Sequence, residues 1–240
     1  MSQLVDYQLS EGVATLRMDD GKVNVMSPAM QAALNGALDE AQAARAAVLL
    51  TGRPGVFSAG FDLAVLSAGG EGAYRMLTGG FRLAERLLSF PAPVVIACNG
   101  HALAMGVFLV LAADHRLAAD GAFKIGANEV AIGLTMPFTA TEMCRQRLAP
   151  AHFNRAVITA EIYAPQDAAA AGFVDRVVPE AELAAQARST ALRLARLPRA
   201  AYVAAKERAR ADAIKAVRAA VQADEAELQG LVAKAAQKSA

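Results

Sequence analysis

The sequence predicts an α/β fold with parallel strands joined by crossover helices. Three observations support this. Two short apolar runs, Ala47–Thr51 (AVLLT) and Val94–Cys98 (VVIAC), read as buried strands. Helical patterns alternate with them, and repeated strand–helix–strand units favour a parallel sheet. From about Pro150 onward the chain turns helical and alanine-rich, punctuated by Pro165, Gly172, Pro179 and Pro198.

Taken in order, Val13–Met18 is a short β-type run following the turn residue Gly12. Ser27 and Pro28 then open a helix, Ser as N-cap and Pro at the first helical position. That helix runs to about Ala43 with Met30, Leu34 and Leu38 on its apolar face. The strand at 47–51 ends at Gly52 and Pro54, and a loop carrying Phe57 to Asp62 follows. Gly69 and Gly70 suggest a flexible break before a helix at 81–88. After the strand at 94–98, Asn99 and Gly100 form a turn, and residues 105–113 make an apolar, buried helix. Residues 114–118 and 122–125 read as short strands. The region after Arg199 is a helical appendage whose Ile214, Val217, Val221, Leu228, Leu231 and Val232 form an apolar stripe. Such a stripe fits packing on its own domain or on another subunit.

Composition narrows the function. The chain has 240 residues, 55% of them hydrophobic and 20% charged, which makes a core-forming globular protein. A formal net charge of +1 gives no global reason to bind nucleic acid or an anionic membrane. Cys98 and Cys144 have no paired spacing, which speaks against a disulfide framework or zinc site and fits a reducing compartment. The N-terminus lacks a secretory pattern, and the longest apolar stretch, 102–113, is too short to span a bilayer. The C-terminal QKSA is not a peroxisomal address. A soluble cytoplasmic protein is the expectation.

Three loops next to apolar strands are where open α/β sheets place ligands. In the first, Ser58, Ala59 and Gly60 let the backbone approach a ligand, although an ordinary strand-to-helix turn capped by Asp62 fits the same residues. In the second, Asn99 to Gly106 feeds a helix N-terminus, whose free N–H groups are the components of an oxyanion hole; a tight turn fits as well. The third carries Glu129 among Val130, Ala131, Ile132, Met136 and Phe138. A carboxylate in such apolar surroundings is a candidate general base near neutral pH, whereas the ordinary fate of Glu is an exposed loop. His101, His115 and His152 are scattered without ligand spacing, Cys98 reads as a core residue, and no serine sits in a nucleophile elbow.

Together these stretches resemble the crotonase (enoyl-CoA hydratase/isomerase) superfamily. The resemblance rests on Val56 to Leu63, Pro93 to Ala102, Asp114-His115-Arg116, Gly126 to Pro137, and the run Ala171-Gly172-Phe173-Val174-Asp175-Arg176-Val177-Val178-Pro179. It covers nearly the whole chain in the right order. It implies a spiral of ββα units over residues 1–198, a helical C-terminal trimerisation region over 199–240, and a homotrimer or dimer of trimers. It also implies an acyl-CoA substrate, with coenzyme A as part of that substrate and no separate cofactor or metal. By position Phe61 and Met105 supply the two oxyanion N–H groups. Ser58, Ala59, Gly60, Asp62, Gly106 and Phe108 fall in the substrate-binding stretches, and Lys22 stands where many members place a basic residue near the CoA phosphates. Lys206, Arg208 and Arg210 are further candidate exposed counter-charges, even across a subunit boundary.

Two departures from the family pattern bear on the reaction. Hydratases use two glutamates; Glu129 matches the second, but Phe108 stands at the first. Met105 occupies a position where glycine is usual, keeping its N–H but adding a side chain. Double-bond migration needs one base, and the Δ3,Δ2-enoyl-CoA isomerases resemble this chain in Asn128-Glu129, Gly133 and Pro137-Phe138. The expectation is therefore isomerisation of 3-enoyl-CoA to 2-enoyl-CoA in fatty acid oxidation. A hydratase and a non-catalytic acyl-CoA-binding homologue are the rivals.

Overall fold

The computed structural model describes residues 4–238. Strands β1 (Val5–Ser10) and β2 (Val13–Met18) form an antiparallel hairpin turning at Glu11 and Gly12, both at positive φ. Helix α1 (Pro28–Ala43) begins as expected: the Ser27 hydroxyl accepts the Met30 N–H, and Met30, Leu34 and Leu38 are buried. Next come β3 (Ala47–Thr51), β4 (Gly55–Ser58), α2 (Leu63–Ala68) and α3 (Gly70–Leu88). A second round gives β5 (Val94–Cys98), β6 (Gly100–Leu103) and α4 (Met105–Ala112). A third gives β7 (His115–Ala119), β8 (Ile125–Gly126), a single 3₁₀ turn (Val130–Ile132), α5 (Phe138–Arg145), α6 (Pro150–Ile158) and α7 (Pro165–Ala171). The chain ends with β9 (Arg176–Val178), α8 (Glu180–Ala195) and α9 (Arg199–Lys238).

Each round contributes one strand to each of two sheets. The larger has the order β1-β2-β3-β5-β7-β9, parallel from β2 onward; the smaller, also parallel, is β4-β6-β8. This is the spiral of ββα units. The larger sheet is covered on both faces. One face joins a large core containing Leu16, Val48, Ile96 and the whole of α4; the other packs Val13, Leu49, Val95 and Leu117 against Leu183, Ala187 and Ala191 of α8.

Some local expectations change. Residues 57–62 and 99–106, read as loops, contain the end of β4 and all of β6; strands this short form because distant partners pair with them. The strand expected at 122–125 shrinks to Ile125–Gly126. The helix expected at 81–88 starts at Gly70, and Gly69 and Gly70 are a junction between two helices, both at positive φ (67° and 62°), where other residues would be strained.

The apolar stripe of α9 packs on its own chain. α9 lies against α3 and α5, with Val217 and Val221 buried in the large core and Ile214 and Leu228 half-buried against it, while Leu231 is exposed. The same packing corrects the reading of Lys206 and Arg210 as exposed charges. Lys206 is only 8% exposed, and its Nζ donates to Asp114 Oδ2 at 2.9 Å. Arg210 pairs with Asp114 at 3.0 Å and donates to the carbonyls of Leu88, Ala112 and Ala113. Only Arg208 of that group is exposed. Arg210 seats α9 on the ends of α3 and α4, and Lys206 ties it to Ala92 O and Asp114.

Candidate active site

Glu129 follows β8 and opens the 3₁₀ turn. Its backbone carbonyl accepts the N–H groups of Ile132 (3.1 Å) and Leu134 (2.9 Å), which folds 129–134 into a tight arch and turns the carboxyl inward. The residue is 6% exposed, and no cation among the described residues pairs with its carboxyl. Burial therefore pushes its pKa up from 4.5 to about 7, opposed only by its own backbone N–H. Its Oε2 is buried without a hydrogen-bond partner, as is Oδ1 of the adjacent Asn128. Unpaired buried polar atoms are costly, so two side by side mark a place where another polar group fits.

Both face a cavity of about 140 Å³. Phe81 of α3 and Phe108 of α4 line its buried end, with Leu77 one helical turn before Phe81. Leu63 and Leu66 of α2 form one side of the mouth, and Ile132, Leu134 and Pro137 the other. Ala59, Phe61 and Ala104 line the remaining wall. Larger hollows exist, including one of about 640 Å³ between Phe90 and α9, but that groove lacks an unpaired buried carboxylate.

The loop after β4 and the start of α4 meet beside this wall. Phe61 N–H and Met105 N–H have no acceptor among the described residues. The loop after β4 meets the start of α4 so closely that a Cβ on Gly60 (φ +96°) would lie 2.7 Å from Ala104 Cβ and 3.4 Å from Met105 N. Ala104, the residue before α4, has φ 48° and ψ −126°, a backbone region that suits glycine and costs other residues roughly 1–3 kcal/mol. Ala104, which lines the cavity, thus brings the start of α4, whose first N–H groups have no intrahelical acceptor, up to the cavity wall.

The sequence-predicted residues separate into two groups. Ala59, Phe61, Phe108 and Glu129 line the cavity. Met105 does not: its side chain is buried in the core, and its sulfur and the Phe61 ring both lie over Gly80, so the extra side chain leaves the cavity open. The Phe61 ring meets Phe81 edge-on at 5.8 Å. Ser58 is buried, its hydroxyl donating to Asn24 O (2.7 Å) and accepting from Gly60 N (3.2 Å). Gly106 backs onto it; a Cβ there would meet Ser58 O at 2.5 Å. The Asp62 carboxylate accepts from Ala64 N (2.9 Å) and caps α2. These residues support the site from behind. Lys22 is exposed and lies away from the cavity wall, on the 20–26 loop that runs beside 59–60 through Ala59 N to Val23 O and Met26 N to Gly60 O.

Sequence reading did not single out Asn24. It is fully buried at positive φ, and its amide donates to Met18, Val56 and Phe57 carbonyls, knotting this loop to β4. It also assigned no role to Leu77 and Phe81, whose one signal was their four-residue spacing on α3. Among the described residues there is no cluster of three His, Cys, Asp or Glu able to hold a metal, and no helix long and apolar enough to cross a membrane.

The fold is of the crotonase type, and comparison with known proteins agrees. The sequence profile of the enoyl-CoA hydratase/isomerase family matches residues 8–240, so the chain belongs to that family. A probable enoyl-CoA hydratase of Rhodobacter capsulatus is 32% identical over 205 residues, 85% of this chain and 79% of that one. Mouse mitochondrial enoyl-CoA delta isomerase 1 is 29% identical over 200 residues, 81% of this chain and 69% of its own. A Mycobacterium tuberculosis protein described in one solved structure as an enoyl-CoA isomerase superposes with a TM-score of 0.90 at 45% identity, covering 95% of this chain and all of the other; a second structure of the same protein is described as a probable enoyl-CoA hydratase.

Proposed function

We propose that the chain is a Δ3,Δ2-enoyl-CoA isomerase in which Glu129 moves a single proton. The observation that carries this reading is that Glu129 is the one carboxyl group lining the cavity among the described residues; Phe108 lines it too, and the family resemblance puts a hydratase's first glutamate at that position. The thioester carbonyl of a 3-enoyl-CoA accepts from Phe61 N–H and Met105 N–H. The Glu129 carboxylate removes a proton from C2, and the electron pair moves onto the thioester oxygen as an enolate stabilised by the two donors. The protonated Glu129 then returns that proton to C4, leaving the double bond between C2 and C3 and the carboxylate regenerated. No cofactor enters the step. A pKa near 7 suits a group that must both take and give a proton. Hydration requires a second group to orient water, which the Phe108 ring cannot supply.

The test assays both reactions on the wild type and on Glu129→Gln. We expect isomerisation by the wild type, slow hydration of 2-enoyl-CoA, and a loss of isomerase turnover of about 10²–10⁴-fold in the variant with acyl-CoA affinity nearly kept. Brisk hydration by the wild type, or full activity in the variant, defeats the reading. The same reading includes assembly as a homotrimer or dimer of trimers through the C-terminal helices, where Leu231 stays exposed on the single chain; a stable monomer in sedimentation at micromolar concentration excludes it.

A further inference from the structure

Building on the isomerase reading, we infer that this enzyme selects short acyl chains, about six carbons or fewer, and that Phe108 and Leu77 set the limit. The cavity of about 140 Å³ is close to the roughly 150 Å³ that accommodates a benzene molecule, so it holds about six heavy atoms. The acyl carbons from C1 to C4 occupy part of that space, since C1 must meet the Phe61 and Met105 N–H groups while C2 and C4 reach Glu129. Little remains for a tail.

The inner wall is fixed. Phe108 is 1% exposed and belongs to α4, every residue of which is buried. Phe81 is equally buried and held edge-on by Phe61. Close-packed side chains of this kind do not recede to admit extra methylenes without strain. The mouth is different. Leu63 is 61% exposed, and its helix α2 has no buried residue. A long tail turned back through that mouth would lie between Leu63 and Leu134, on the side from which the substrate enters, and would compete there with the thioester arm.

Two measurements test this independently of each other. The first is kcat/KM for 3-enoyl-CoA esters of six, eight, ten and twelve carbons. A misfitting methylene in a packed apolar pocket costs about tenfold or more, so we expect a fall of at least tenfold from six to ten carbons. The second is calorimetric binding of saturated hexanoyl-CoA and dodecanoyl-CoA to Glu129→Gln, which reads the cavity without turnover. Hexanoyl-CoA is expected to bind more tightly. Leu77→Ala and, separately, Phe108→Leu should move the optimum toward longer chains by two to four carbons in both measurements; Leu77 is half-buried, so its variant keeps the test intact if Phe108→Leu fails to fold. If no ester of any length is isomerised but hexanoyl-CoA still binds more tightly, the reaction assignment fails and the length limit stands. Equal binding of the two saturated esters, or an unchanged order in Leu77→Ala, overturns the length limit.

Discussion

The carboxylate of Asp224 in α9 accepts the N–H groups of both Phe138 and Thr139, each at 2.8 Å, across more than 80 residues of sequence. These are the first two N–H groups of α5, directly after Pro137 of the cavity wall. Asp224 is buried, and a negative charge at a helix N-terminus is favourable. The C-terminal helix thereby holds one end of the 129–137 arch that carries Glu129. Asp224→Ala should cost about 1–2 kcal/mol, as loss of a helix cap does, and lower thermal stability by several degrees. Asp224→Asn, which keeps one acceptor, should fall between. Thermal unfolding of the two variants checks this, and equal stability of Asp224→Ala and wild type would rule out the tie.

Ala104 offers a test of backbone strain at the proposed oxyanion site. Its φ and ψ suit glycine, and its Cβ faces Gly60 at the closest approach of the two donor loops. Ala104→Gly relieves the strain but loosens the unfolded chain, a cost of about 0.4–1 kcal/mol. The net expectation is a stability gain of about 1 kcal/mol, or 2–4 °C in Tm. Ala104→Val adds branching in a region closed to it and should lower both stability and turnover. A destabilised Ala104→Gly would mean that the Cβ contributes packing that outweighs the strain.

Much of this arrangement was legible in the sequence, and the limits have physical causes. α1 was readable to its ends because a Ser-Pro start and a three-and-four apolar spacing are local signals. β3 and β5 were readable because their runs are wholly apolar. Glu129 stood out because a carboxylate in an apolar stretch is unusual. β4 and β6 were not readable: each has four residues, and their pairing, Gly55 with Gly100 and Val56 with His101, spans more than forty residues. Lys206 and Arg210 looked like exposed charges because nothing local reveals Asp114, nearly a hundred residues earlier, as their partner. Where the added Met105 side chain goes was not readable, because side-chain direction at a helix start depends on the backbone of Ala104, which has positive φ.

Lys22 and Lys206 should now separate cleanly by experiment. Lys22 is exposed, so the proposed attraction between it and the CoA phosphates would be screened by salt. Lys22→Ala should weaken acyl-CoA binding at low ionic strength, and the difference should shrink in high salt. Lys206→Ala should leave binding alone and instead cost about 1–3 kcal/mol, because Asp114 loses one of its buried partners. Titration calorimetry at two salt concentrations and chemical denaturation read the two effects. A Lys22→Ala variant with unchanged affinity at low salt would remove Lys22 from the CoA site.

The raised pKa of Glu129 has two consequences with opposite pH trends. The proposed mechanism needs the carboxylate, so it predicts that kcat/KM for isomerisation rises with pH and levels off above about 7. Stability should go the other way. In the unfolded chain the group titrates near 4.5, and in the folded protein near 7, so folding favours its protonated form. That contribution is fully present below about 4.5 and is lost as pH rises through about 7, once the buried group must carry charge. At about 1.4 kcal/mol per pH unit, the penalty by pH 8 is on the order of 3 kcal/mol. Glu129→Gln carries no such charge, so its stability relative to wild type should increase between pH 4.5 and 8 while its activity stays low throughout. The check is a pair of denaturation series over that range together with a pH–rate profile. Parallel stability curves for the two proteins, or a rate that is flat from pH 5.5 to 8.5, would show that Glu129 titrates as an ordinary surface carboxylate and does not act as the base.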